Sequence, residues 1–89
     1  MMAARRPIRE VGVPTVFRSG PYRFHFHSRE HDPPHIHVES PSGRAAFTLT
    51  PLKLSDSRGY TRRETHEIHQ IVLTHRHAFL RRWHEHFKQ

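Results

Sequence analysis

Five of the chain's eleven histidines crowd into sixteen residues, the stretch FHFHSREHDPPHIHVE from Phe24 to Glu39. Neutral imidazoles beside a carboxylate are ligands for zinc and other first-row divalent ions, and an imidazole is the commonest general acid or base near neutral pH. Spacing decides which of the five can act together. Residues two apart on a strand project from one face, so His25 goes with His27 and His35 with His37. If the two segments form a hairpin with its tip near His31, His25 faces His37 and His27 faces His35, with β-carbons about 5 Å apart. Four imidazoles then make a square on one face, with His31, Asp32 and Glu39 at its margins. Pro33 and Pro34 stiffen the approach to His35, a way to hold a ligand or a contact residue in place.

Three chemistries stay open for this motif. It can be a metal or small-anion site, a structural or protein-contact element, or a general acid–base site using His31, His35 or His37. Covalent catalysis finds no nucleophile in a recognisable setting, because Ser28, Ser40 and Ser42 fall in turns and there is no cysteine. The motif lacks the third alternate histidine of histidine-triad nucleotide hydrolases and the second His-x-His of metallo-β-lactamase-like sites. The other six histidines, His66, His69, His75, His77, His84 and His86, belong to the C-terminal segment. None are four apart, the spacing of zinc-binding helices, and His66 and His77 would lie roughly 16 Å apart along a helix. No metal site is expected on that segment alone. His75 and His86 fall on its apolar stripe and read as core-edge residues, each satisfied by one hydrogen bond.

The elements that must position the motif are legible from hydrophobic period. TVFRS reads as a first strand, closed by the turn pair Gly20-Pro21. In YRFHFHS, Tyr22, Phe24 and Phe26 alternate with Arg23, His25 and His27, the pattern of a half-buried strand. HIHVE alternates again, with Ile36 and Val38 on the apolar side. RAAFTLT follows the turn SPSG and puts Ala45, Phe47 and Leu49 on one face. PLKLSDSRGY reads as a connection that can hold a short extra strand at Leu52 to Leu54. The signature TRRE, Thr61 to Glu64, has capping-box form and opens a helix that no Gly or Pro interrupts to the end of the chain. Ile68, Val72, Phe79 and Trp83 recur at helical spacing, and Leu73, Leu80 and Phe87 widen the apolar arc beyond what a two-layer domain needs. The surplus points to a second contact, a homo-oligomer or a cognate partner, unless the 51–60 connection wraps it. The expected fold class is α+β: an antiparallel β-meander of about four strands packed on one long C-terminal α-helix. Residues 14–89 form that single domain, and residues 1–13 a basic, flexible N-terminal arm.

Composition sets the outer bounds. Eighty-nine residues with 34% hydrophobic content allow one domain with a modest core, concentrated in six Phe, one Trp and two Tyr. The chain has no membrane-length apolar run, and MMAARRPIREVG lacks the apolar core of a secretory signal. Together with the missing cysteines this reads as a cytoplasmic protein. The formal charge of +7 comes mostly from arginine, whose planar fork suits carboxylate and phosphate, so acidic partners are expected. For nucleic acid, the candidate contacts are the pairs Arg62/Arg63 and Arg81/Arg82, supported by Arg5, Arg6, Arg9 and Lys88. With the phenylalanines turned inward and no helix-turn-helix, such binding would be non-specific.

GPYRFHFHSREHDPPHIHVE, RAAFTLTPLKLSDSRGYTRRE and FLRRWHEHF, read in order, resemble the small prokaryotic proteins grouped as domain of unknown function 4160. The resemblance runs from Pro14 to Phe87. Its most specific element is His31-x-Pro33-Pro34-His35-x-His37, supported by Tyr22, Pro51, Gly59 and Trp83-x-x-x-Phe87. It implies a stand-alone bacterial domain whose gene often neighbours that of another small protein, and so a toxin–antitoxin-type or regulatory pair. It brings no reaction or ligand. Family members commonly carry other residues at His25 and His27, so the trio His31, His35 and His37 takes precedence as the metal candidate, with His25, His27 and Asp32 as additional ligands and zinc as the natural ion. The leading expectation is a small non-enzymatic module acting through a protein partner. A divalent-metal-binding protein or metal-dependent hydrolase built on the trio, and a non-specific nucleic-acid binder, are the alternatives.

Overall fold

The structure is a computed structural model, and it describes residues 15–27 and 33–87. The N-terminal arm, His31, Asp32 and Lys88 lie outside the described residues. Five strands precede one helix: β1 (Thr15–Ser19), β2 (Tyr22–His25), β3 (His35–Ser40), β4 (Gly43–Leu49), β5 (Leu52–Arg58) and α1 (Arg62–Phe87). Every strand pairs antiparallel with its neighbour in sequence, giving one sheet in the order β1-β2-β3-β4-β5. The α+β meander on a long helix is therefore as expected, with five strands where about four were read. The expected short strand at Leu52–Leu54 runs on to Arg58. Its second half is hidden in sequence because Ser55 is an extra residue: Phe47 pairs with Leu54 but Ala46 with Asp56, so the alternation changes phase there. β1 carries a similar irregularity at Val16, between Thr15 and Phe17.

The period-2 pattern divides the sheet into two unlike faces. Phe24, Ile36, Val38, Ala45, Phe47 and Leu49 are buried on the side that α1 covers. From the helix, Ile68, Val72, Phe79 and Trp83 complete that core. Each of the larger side chains contributes about 1.5–3 kcal/mol by leaving water, Ala45 less. The aromatic contacts interlock: Phe79 lies 5.7 Å from Phe24 and 5.9 Å from Phe17, and Trp83 meets Phe26 edge-on at 5.3 Å. Leu80 and Phe87 pack against the core edge, whereas Leu73 stays half exposed. Thus the widened apolar arc is absorbed in part by the domain itself.

Polar bonds fix where the helix lies. Thr61 and Glu64 make the reciprocal capping box, with the Thr61 amide donating to Oε1 of Glu64 at 2.8 Å and the Glu64 amide to Oγ1 of Thr61 at 3.1 Å. Tyr22 donates to Oε1 of Glu67 at 3.2 Å, tying the first turns of α1 to the start of β2. Halfway along, Nε of Arg76 donates to the Leu49 carbonyl at 2.6 Å, closing the end of β4. His75 donates from Nδ1 to the Ile71 carbonyl at 3.0 Å and packs at a tilt against Phe17, ring centroids 4.3 Å apart, the core-edge role its position implies. Near the helix start, backbones meet closely. A Cβ on Gly43 would collide with the Arg58 carbonyl, and one on Gly59 (φ 85°) with the Ser42 carbonyl. No helix of the described residues is long and apolar enough to cross a membrane.

Candidate functional site

The outer face of the sheet, opposite α1, carries the polar residues. Register places them in transverse rows, because directly paired residues of antiparallel strands project from the same face. One row joins all five strands: Arg18 pairs with Arg23, Arg23 with Glu39, Glu39 with Arg44, and Arg44 with Arg58. At about 4.8 Å per strand it spans roughly 19 Å. The next row is Thr15, His25, His37, Ala46 and Asp56. A third includes His35, Thr48 and Lys53. Toward β5, the members of the first two rows line a shallow concavity of about 720 Å³ that includes His25, His27, His37, Glu39, Arg44 and Arg58 but not Arg18, Arg23 or Thr15.

The histidine square forms only in part. His25 does face His37, as the hairpin register requires. His27 lies beyond the end of β2 and stacks flat on His37, with ring centroids 3.6 Å apart and planes 5° apart. His25 lies 5.3 Å from His27 and 5.8 Å from His37. His35 sits at the end of the sheet, where its ring lies 5.3 Å from Trp83 and its Nδ1 donates to the Pro33 carbonyl at 2.7 Å. Pro33 thus orients His35 through its carbonyl as well as through backbone stiffness. Ring centroids of His35 and His37 are 5.2 Å apart.

This packing bears on metal binding. In-plane lone pairs of two parallel rings lie in separate planes, about 3.6 Å apart for His27 and His37. An ion bound in one ring plane at about 2.0–2.1 Å is out of the other's, so this pair as placed does not share one ion. Among the described residues no group of three or more His, Cys, Asp or Glu is arranged to hold a metal ion. His31 and Asp32 lie outside the described residues, so the candidate trio is described at His35 and His37 alone.

His25 departs from the exposure expected of a polar alternate on a half-buried strand. It lies on the outer face yet is 4% exposed, covered there by its neighbours. Arg23 organises this spot: Nη1 donates to Oε2 of Glu39 at 2.9 Å and to Nδ1 of His25 at 3.4 Å, while Nε donates to Oγ1 of Thr15 at 3.0 Å. A guanidinium only donates, so His25 accepts at Nδ1 and carries its proton on Nε2, which faces Oε1 of Glu39 at 4.0 Å. Burial pushes the His25 pKa from 6.5 down to about 4, helped by the Arg23 charge and opposed by Glu39. Burial and the Glu67 bond likewise push the Tyr22 hydroxyl up to about 12.

The arginines singled out on the helix do not converge. At 100° per residue Arg63 and Arg81 share the outward face about 27 Å apart, while Arg62 and Arg82 turn to opposite flanks. Arg62 borders a groove with Phe47, Leu54 and His69, and Arg82 lies beside Val16, Phe26 and Glu85. Arg18, Arg23, Arg44 and Arg58, which sequence reading passed over, are the ones brought into line. The only signal for them was their position on the polar alternates of four separate strands.

The family model described as Domain of unknown function (DUF4160) matches residues 22–84, well over half of the chain. No curated protein and no solved structure matches.

Proposed function

The chain belongs to the DUF4160 family, and from that premise we propose that it is a small non-enzymatic binding module whose protein partner occupies the outer face of the sheet. One observation carries the reading. The helix seals one face over a continuous apolar core, while the other is left as an open concavity lined by His25, His27, His37, Glu39, Arg44 and Arg58. Hydroxyls near that face serve local structure: Ser55 donates to the Ala46 carbonyl at 3.0 Å and Thr48 to the Pro51 carbonyl at 2.6 Å. A toxin–antitoxin-type or regulatory pairing with the product of the neighbouring gene fits such a module.

The test is a steric plug. Ala46 lines the concavity between His37 and Asp56. The Ala46→Trp variant should melt like the parent protein yet fail to co-purify with the co-expressed neighbouring gene product. Undiminished complex formation by that variant, or a parent protein that forms no complex, would sink the reading. A second contact has its own support in Leu54 and Leu73, 40% and 50% exposed. If it mediates self-association, light scattering will show a dimer that Leu73→Glu converts to monomer.

A further inference from the structure

We infer that the row Arg18–Arg23–Glu39–Arg44–Arg58 is a recognition strip for an acidic segment of a protein partner. This deepens the proposed function and rests on the outer face being the working surface. The row departs from how sheets are ordinarily stabilised. Directly opposed like charges weaken a strand pair, and here two such pairs occur, Arg18 with Arg23 and Arg44 with Arg58. Only Glu39 sits between them, and its carboxylate is bonded to Arg23 at 2.9 Å. Arg58 has Asp56 at 3.6 Å, with side-chain exposures of 76% and 56%. Counting Lys53 with the four arginines against Glu39 and Asp56, the described residues of the outer face carry three more positive than negative charges. Long guanidinium forks bind carboxylates two bonds at a time, and Arg44 and Arg58 present theirs within the concavity. A partner's carboxylates would relieve the repulsion within each arginine pair, so binding and sheet pairing favour the same arrangement.

Polypeptide fits the strip better than nucleic acid. A nucleic-acid strand carries a phosphate about every 3.4 Å of helix axis, a run without gaps. Glu39 breaks the row, Asp56 stands in the row beside it, and both would repel such a run. A polypeptide can space its carboxylates to meet the two arginine pairs and set a lysine or amide against Glu39. The phenylalanines that would stack on bases are buried against α1.

Fluorescence anisotropy decides the matter with two labelled probes, a ten-residue glutamate-rich peptide and a ten-nucleotide oligo-dT. Wild-type protein should bind the peptide at low salt and lose it as ionic strength rises. The double variant Arg44→Gln/Arg58→Gln should weaken peptide binding by about tenfold or more, while Arg62→Gln/Arg63→Gln leaves it within about twofold. Matching melting curves keep the comparison fair. Absence of peptide binding by the wild type, indifference to the double variant, or tighter binding of oligo-dT through the same arginines would each overturn the inference. The two readings separate cleanly. If the neighbouring gene product binds in a manner blocked by Ala46→Trp but unchanged by Arg44→Gln/Arg58→Gln, the partner surface stands and the acidic-segment strip fails.

Discussion

Lowering the pH should unfold this protein through His25 in particular. The imidazole is packed against His27 of its own segment, His37 and Glu39 of β3, Thr15 of β1 and the guanidinium of Arg23. With a folded pKa near 4 and an unfolded value near 6.5, the native state holds His25 neutral where the unfolded chain protonates it. A depressed folded pKa contributes stability that is fully present above about pH 6.5 and is lost as the pH falls towards 4. At about 1.36 kcal/mol per pKa unit the whole span is worth roughly 3 kcal/mol. Integrated between pH 7 and pH 4.5, the loss is about 2 kcal/mol, a large share of what a domain of this size has. The measurement is urea unfolding of the parent protein and of His25→Asn at both pH values. Every other titrating group is common to the two proteins, so it cancels in the difference. The parent should lose about 2 kcal/mol more than the variant on acidification. Equal losses would mean that His25 titrates normally in the fold, and the account of its burial would be wrong.

Other outcomes follow from particular contacts. Thr61→Ala removes the acceptor of the Glu64 amide and should cost about 1 kcal/mol in urea unfolding, with no change in the sheet's spectroscopic signature. Gly43→Ala drives a Cβ into the Arg58 carbonyl, so thermal melting should fall by an amount equivalent to about 1–3 kcal/mol and peptide binding to the strip should weaken with it. Elemental analysis of untagged protein should find less than about 0.2 equivalents of zinc, since the flat stack of His27 on His37 does not share an ion. A full equivalent, lost in a His35→Ala variant, would show that residues 28–32 complete a site.

Much of the fold could be read directly because its signals are local. Phe24, Ile36, Val38, Phe47 and Leu49 declare the covered face by simple alternation, and Thr61 with Glu64 marks the first turn of α1. The second half of β5 escaped because a single extra residue, Ser55, reverses which side chains face in. The burial of His25 is hidden in the sequence for a different reason. Polar alternates of a half-covered sheet are ordinarily wet, and only ring stacking with His27 and His37 and the Arg23 bond network close water out. The arginines teach the opposite lesson to the one their spacing offers. Arg62/Arg63 and Arg81/Arg82 stand out as neighbours in the chain, yet neighbours on a helix point about 100° apart. Arg18, Arg23, Arg44 and Arg58 are scattered over forty residues, and the row they form exists only once all four strand pairings are known.

Both outermost strands carry a kink in their pairing, Val16 in β1 and Ser55 in β5. A bulged, twisted edge with a lysine on it, Lys53, offers a poor template for another strand. Among the described residues the meander ends at five strands, with both edges shaped against further pairing. Irregular edges of this kind turn self-association away from edge pairing and toward the faces of the sheet and helix.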